Sequence, residues 1–399
     1  MDLSYGPEYE AFRGEVRQFI NQHRDEAPKG EGLRSPKALA WQKRLIEHGY
    51  AARTIPKAYG GHGGTPDILK SRIIAEEFAN AQMSQGMGGQ GISMLVPTLL
   101  EVGTEEQKRQ FIAPTLHGEM LWCQGYSEPG AGSDLASLRT SAVLDGDEWV
   151  VNGQKIWTST AHLADWIFCL VRTEPNAPKH KGISFLLFRM NTPGIEVRPL
   201  VDMTGHANFN EVFFTDVRVP KHQIVGQRGD GWMVANAILG HERDSLGNPD
   251  ATLARLNALI ALMQTETVDG QRLIDHPVYR DRLMQLQGRV MALRLNDLRI
   301  LSARLNKADA SLARMVMKLE GTELRHALEG LAIDIMGEFG LAYGDNPLKR
   351  DNGSWQHQYM FFLGLIIGGG TSQIQKNIIS ERGLGMPKEP KFERTGAAG

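Results

Sequence analysis

The chain of 399 residues carries 44 Lys and Arg against 46 Asp and Glu, a net charge of −2, with 41% hydrophobic and 23% charged residues. These proportions fit a globular protein with a sizeable core, and the length suggests two to three domains. Balanced charge, with no block of one sign, excludes an electrostatic nucleic-acid or membrane binder and leaves small molecules and other subunits as partners.

The two cysteines, Cys123 and Cys169, cannot build a disulfide framework or a multi-cysteine metal site, so a reducing cytosol is expected. The start, Met1 to Arg13, is polar and acidic and lacks a secretory pattern. Tyr359–Ile367, the most apolar stretch, falls short of the roughly 20 residues that span a bilayer. A cytoplasmic location is expected.

Residues 1–118 read as helical. Phe12, Val16, Phe19 and Ile20 form one stripe, and Trp41, Leu45, Ile46 and Tyr50 another. A loop is expected over Pro56–Pro66. Gly86-Met87-Gly88-Gly89-Gln90-Gly91 matches G-x-G-x-x-G formally, but Glu76–Gln85 before it is polar and helical, not a buried strand. A Rossmann site is therefore set aside.

Residues 119–228 change character. β-rich runs at Glu148–Val151, Trp166–Val171, Ile183–Phe188, Ile195–Leu200 and Glu211–Phe214 are separated by turn signals at Asp145-Gly146, Asn152-Gly153 and Pro193-Gly194. A compact antiparallel barrel or sandwich is predicted. Two stretches within it could carry chemistry. Ser127-Glu128-Pro129-Gly130-Ala131-Gly132-Ser133-Asp134 would let backbone approach a flat ligand and offer amide and hydroxyl donors. On residue chemistry alone, a plain turn explains it more simply. Asn152-Gly153-Gln154-Lys155-Ile156-Trp157-Thr158-Ser159 sets an aromatic face and a hydroxyl on one side of a strand. By itself it is more simply a packed tryptophan.

Residues 229–386 return to helical spacing. Leu324, Leu328, Leu331 and Ile335 are expected on one buried stripe, and Leu298, Leu301 and Leu305 on another. Residues 387–399 read as a disordered tail. His241-Glu242 has no second histidine in helical register, and the twelve histidines do not cluster with acids at ligand spacing. No metal site is expected.

Taken together, the two β-zone stretches resemble the flavin-binding middle domain of the acyl-CoA dehydrogenase family. The resemblance covers nearly the whole chain. It includes Gly103-Thr104-Glu105-Glu106-Gln107-Lys108, Phe209-Asn210-Glu211-Val212-Phe213-Phe214 with Val217-Arg218-Val219-Pro220, and Gly370-Thr371-Ser372-Gln373-Ile374-Gln375. It implies an α+β multidomain fold: an N-terminal helical domain, a middle antiparallel β-barrel or sandwich, and a C-terminal four-helix bundle. FAD would be held between the middle and C-terminal domains without a Rossmann fold.

The resemblance also implies roles. Ser127 would contact the flavin ring, with Gln124 and Tyr126 in the same strand. Gly132 and Ser133 would lie against cofactor and CoA, Trp157 would cover one flavin face, and Ser159 would bond near the hydride-accepting nitrogen. Thr371 joins the cofactor set. The reaction would be α,β-dehydrogenation of an acyl thioester, with a carboxylate taking the α-proton. The Gly369 N–H and a flavin ribityl hydroxyl would polarise the carbonyl. Electrons would pass to an electron-transfer flavoprotein.

Three departures sharpen the resemblance. Many members place the catalytic glutamate directly before the terminal Gly-Thr, where this chain has Gly369. A minority supplies the base within a Leu-x-x-Glu-Arg pattern, matched here by Leu239-Gly240-His241-Glu242-Arg243. Glu242 is then the base, with Arg243 beside the substrate; a solvated Glu-Arg pair is the plainer alternative. Second, Glu266, Asp334 and Glu338 stand where homotetrameric members donate Arg, Gln and Gly to a neighbour's FAD pyrophosphate. Three acids there would repel it, which points to an α2β2 tetramer with a related subunit; the alternative is an alignment off by a residue or two, with these acids facing water. Third, the glycine run with Gly86 and Gly89 would deepen the acyl cavity for a bulky or long group such as a steroid side chain; a flexible helix connection is the alternative. Rival readings on the same fold are an oxidase or monooxygenase and a flavin-poor partner subunit.

Overall fold

The computed structural model describes residues 6–388; for residues 242–246 it describes the backbone alone. The chain forms two compact units that divide after His241.

The first unit opens with five helices: α1 (Pro7–Gln22), α2 (Pro36–Glu47), α3 (Ile68–Asn80), α4 (Val96–Val102) and α5 (Glu105–Leu116). Their starts are written locally. Ser35 accepts from the Ala38 N–H with Pro36 in the first turn, and Asp67 accepts from that of Lys70. Thr104 and Gln107 close a reciprocal capping box. The stripes predicted on α1 and α2 converge, burying Val16, Phe19, Ile20, Trp41 and Leu45 against Ile73, Ile74 and Phe78 of α3.

Seven strands follow: β1 (Trp122–Gly125), β2 (Ser141–Asp145), β3 (Glu148–Lys155), β4 (Trp166–Arg172), β5 (Ile183–Arg189), β6 (Ile195–Leu200) and β7 (Phe209–Pro220). They make one sheet in the order β1-β4-β2-β3-β7-β6, with β5 also on β4. Pairing is mostly antiparallel, as expected; β1 and β2 add parallel contacts to β4. The continuous apolar runs of β4 and β5 have a simple cause. Trp166, Phe168, Leu170, Phe185 and Leu187 face a core shared with the helices, including Leu99, Phe111 and Leu116. The alternate residues Ile167, Cys169, Val171, Leu186 and Phe188 face a second core inside the β layer. Side chains alternate along a strand, so both faces are covered and both must be apolar. The change at residue 118/119 is thus a change of secondary structure within one continuous core.

One turn expectation is corrected. Asn152-Gly153 is not a turn: β3 runs through it to Lys155, with a register shift against β7 between Val151 and Gly153. Asn152 exchanges hydrogen bonds with Asp216 there, its Nδ2 donating at 3.0 Å and its Oδ1 accepting from the Asp216 N–H at 2.9 Å. A Cβ at Gly153 would lie 2.7 Å from the Thr140 backbone, so the glycine serves a close approach inside a bulge.

Helix α6 (Gly231–Leu246) begins in the first unit, where Val234, Ala235 and Ile238 join the shared core. The second unit holds α7 (Pro249–Thr265), a short hairpin of β8 (Thr267–Val268) and β9 (Gln271–Arg272), α8 (Pro277–Leu305), α9 (Ser311–Met336), α10 (Ser354–Ile367) and α11 (Ser372–Ile378). Helix α9 packs on α7, α8 and α10. Its predicted stripe, Leu324, Leu328, Leu331 and Ile335, is buried. On α8 the expectation is corrected: Leu283, Val290, Leu293 and Ile300 face the core, whereas Leu305 is exposed. That helix carries more apolar residues than one stripe holds, and only the crossing with α7 and α9 selects which face is covered.

No described helix is long and apolar enough to cross a membrane. The predicted tail lies, from residue 389 on, outside the described residues.

Candidate active site

The ends of β1 and β3 meet. The Ile156 N–H donates to the Ser127 carbonyl at 2.9 Å, so the two stretches singled out in the sequence lie side by side. Trp157, one residue further on, has a left-handed backbone with φ +60° and leaves 58% of itself exposed. An indole held that far out of a core has a free face to offer a flat ligand. One edge of it meets Phe209 at 6.0 Å. Asn210 pins the next residue: its Nδ2 and N–H both donate to the Thr158 carbonyl, and the Thr158 N–H donates back to the Asn210 carbonyl.

Around this junction the expected residues take different positions. Ser127 and Gln124 are half-buried, and Gln124 accepts through Oε1 from Gln90 Nε2 at 3.2 Å. The Tyr126 ring turns into the core, edge-on to Phe168 and Phe185. Gly132 and Ser133 are exposed in the loop after β1, and a Cβ at Gly132 would meet open space. That loop is tethered beyond them. Arg172 donates to the Ala136, Leu138 and Lys179 carbonyls, and Asp134 pairs with Lys179 at 2.7 Å.

A cavity of about 430 Å³ lies in the same unit. Ser159 lines it, with Leu33, Met87, Ile92, Met120, Trp122 and Leu163 supplying apolar walls. Gly88 and Gly89 also line it, and a Cβ at either would meet nothing within 4 Å. Gly89 has φ +108°, where any side chain is strained, so its glycine is required by the backbone as well as by space. Gly86 does not line this cavity. It packs on α2, where a Cβ would lie 2.4 Å from Gln42 Oε1.

In the second unit Gly369 and Thr371 follow α10. Thr371 caps α11, its Oγ1 accepting from the Ile374 N–H at 3.2 Å. Gln375 Nε2 donates to the Gly369 carbonyl, and the buried Lys318 Nζ donates to the carbonyls of Ile366 and Gly370. The glycine loop is thus held by its carbonyl oxygens. Glu242 and Arg243 lie on α6, but their side chains are outside those described.

The expectation that three acids repel a pyrophosphate is corrected for two of them. Asp334 is paired with Arg282 at 2.6 Å and Glu266 with Arg350 at 3.4 Å. A carboxylate already matched by a guanidinium presents little net charge, so repulsion of a pyrophosphate no longer follows from them. Glu338 is the second residue of the helical turn Gly337–Leu341 after α9.

Sequence reasoning also missed Glu128, Lys155, Asn210 and Lys318. For Lys155 a signal was present: it sits in phase with the buried Trp149 and Val151 of β3. A charge at a core-facing position needs a partner. Among the described residues no group of His, Cys, Asp or Glu is arranged to hold a metal.

Comparison with known proteins now decides the family. Models described as the acyl-CoA dehydrogenase N-terminal, middle and C-terminal domains match residues 6–119, 123–217 and 229–384. The chain belongs to the acyl-CoA dehydrogenase family. Within that family it is 38% identical over 395 residues to acyl-CoA dehydrogenase IpdE1 of Mycobacterium tuberculosis (strain ATCC 25618 / H37Rv), covering 96% of this chain and 99% of the relative. Among solved structures it is similar to the ChsE4-ChsE5 complex from Mycobacterium tuberculosis, with 32% identity, a TM-score of 0.80 and coverage of 98% and 100%. The Tcur3481-Tcur3483 steroid ACAD matches with 29% identity, a TM-score of 0.81 and the same coverage. The protein is accordingly an acyl-CoA dehydrogenase, an oxidoreductase, and family members are flavoproteins.

Proposed function

We propose that this acyl-CoA dehydrogenase uses FAD to oxidise a bulky or long acyl-CoA thioester, such as one carrying a steroid side chain, as one subunit of a heteromer. The observation that carries the reading is the junction of β1 and β3, with the exposed Trp157 face beside Ser127 and with Ser159 opening on an apolar cavity of about 430 Å³. These residues fit a flavin: a free aromatic face, hydroxyls at Ser127 and Ser159, and glycine backbone at Gly130 and Gly132 open to close approach.

Bound FAD would supply the hydride acceptor. The chain supplies the rest. Glu242 removes the α-proton, a weak acid that needs a base held close in a dry pocket. The Gly369 N–H, in a loop anchored through its carbonyls, donates to the thioester oxygen and spreads the developing charge. Gln124, Tyr126, Gly132, Ser133 and Thr371 complete the cofactor and CoA contacts, and Arg243 stands beside the substrate. Electrons leave to an electron-transfer flavoprotein in the cytoplasm.

The cavity's apolar walls and the names of the steroid ACAD and of the two-component complex support a fused-ring acyl group and a related partner subunit. The residue types at Glu266 and Asp334 point the same way, since a carboxylate lacks the N–H donors of a donated Arg or Gln. Co-purification from the source, with flavin per chain and subunit masses measured, tests the reading. Half a flavin per chain with two subunit masses is expected. One FAD per chain in an active homomer overturns the heteromer, and a flavin-free assembly overturns the cofactor reading.

Gly88 provides the test of substrate size, because its backbone accepts a side chain where that of Gly89 does not. Gly88→Leu is expected to raise KM for bulky acyl-CoA by about tenfold, a loss of about 1.4 kcal/mol of binding, with little change for short chains. An equal effect on both would place the acyl group elsewhere.

A further inference from the structure

Lys155 is completely buried, and the side chain of Glu128 is 8% exposed. Lys155 Nζ donates to Glu128 Oε1 at 2.8 Å and to the Tyr126 carbonyl at 3.1 Å. Both Glu128 oxygens are in use: Oε1 also accepts from the Thr140 N–H at 2.9 Å, and Oε2 from that of Arg139 at 2.6 Å. Burial opposes the Glu128 charge, yet the Lys155 ammonium and the hydrogen bonds from Thr140 and Arg139 hold its carboxyl below the usual range.

We infer that the Lys155–Glu128 ion pair is a positioning device that sets the flavin-facing ends of β1 and β3 before the cofactor arrives. The inference rests on the FAD reading above. Three features lead to it. Buried charges cost as much in desolvation as they return in attraction, so stability alone gives little reason to keep such a pair where apolar residues would serve. Its bonds go to particular atoms: they fix the Tyr126 carbonyl and residue 128, in the segment just after β1, to residue 155 at the end of β3, and the Ser127 carbonyl lies between them, bonded to Ile156. Finally, Ser127 and Trp157 are each within two residues of the pair, and the Asn210 bonds to Thr158 hold only the far side of Trp157. Trp157 in particular is held in a left-handed backbone with an exposed ring, a conformation its own core contacts do not impose.

The double variant Lys155→Met with Glu128→Gln removes both charges together and leaves neither buried alone. Co-expressed with the subunit that accompanies the protein, it is expected to unfold within a few degrees of the wild-type apo form. Its flavin Kd should rise by about tenfold, the scale of a lost coupled pair, and the bound flavin's visible circular dichroism should change. Unchanged Kd and spectrum overturn the inference; a wild-type assembly that binds no FAD overturns the cofactor reading as well. If the variant does not fold, amide hydrogen exchange on the wild-type assembly decides. The amides of Ile156, Arg139 and Thr140 should be protected equally with and without FAD. Fast exchange that becomes slow only when FAD binds would show that the cofactor builds the platform, and the pair does not.

Discussion

Glu242→Gln is expected to lower turnover by on the order of 10²–10⁴-fold, the range that a positioned base contributes, while FAD stays bound. The amide keeps the size of the carboxylate and removes its basicity. Nothing at the end of α10 can take over, since Gly369 occupies the position that a glutamate fills in many members and has no side chain. Single-turnover reduction of the flavin by acyl-CoA, followed by its bleaching, separates the chemical step from electron transfer to the acceptor. Bleaching at the wild-type rate would remove Glu242 from the mechanism. Loss of flavin together with activity would give the residue a structural role instead.

The largest expected effect on stability lies in the second unit. Arg255→Met is expected to destabilise it by about 3–5 kcal/mol, because it breaks a buried ion cluster from one side. Glu329 is fully buried; Arg255 Nε donates to it at 2.8 Å and Arg255 Nη2 donates to its other oxygen, while Arg325 stands 3.6 Å away. The guanidiniums also cover aromatic faces, Arg255 lying 3.8 Å from the Trp355 ring centre and Arg325 4.4 Å from that of Phe362. Burial outweighs these cations and holds the Glu329 carboxyl above its usual range. With one cation gone, the remaining charge is poorly compensated. For a unit of this size the melting temperature should fall by roughly 6–20 °C.

The pH dependence provides a second measurement. A carboxyl whose folded pKa is raised binds its proton more tightly folded than unfolded, so folding is favoured as pH falls through the folded value. The Arg255→Met variant should therefore recover part of its loss when the pH is lowered to just above the ordinary carboxylate range. Glu329→Gln added to Arg255→Met should give the same recovery at neutral pH. Melting temperatures unchanged by the single substitution would mean that the cluster relaxes at no cost.

Much of the fold was legible in local patterns. The stripes of α1, α2 and α9 bury as their spacing predicts, and the unbroken apolar runs of β4 and β5 announce strands covered on both faces. The Ser127–Asp134 and Asn152–Ser159 stretches were legible as a pair, although each alone reads as an ordinary turn or a packed tryptophan. Other features were not. Asn152-Gly153 has the residues of a turn, but Asp216 across the sheet makes it a bulge. The stripe on α8 was misplaced because several apolar faces compete there. Glu266 and Asp334 were read as repelling a pyrophosphate because Arg350 and Arg282, their partners, are 84 and 52 residues away in the chain.

Length and composition determined by themselves that this protein can bury a large core. Periodicity determined the order of helical and β segments, because 3.6- and 2-residue repeats are local properties of the backbone. Only the tertiary structure decided which charges meet. The balance of 44 cations against 46 anions says nothing of the buried Lys155–Glu128 pair or of the two arginines gathered on Glu329. Such pairs form where distant segments exclude water together, and no single segment records that exclusion.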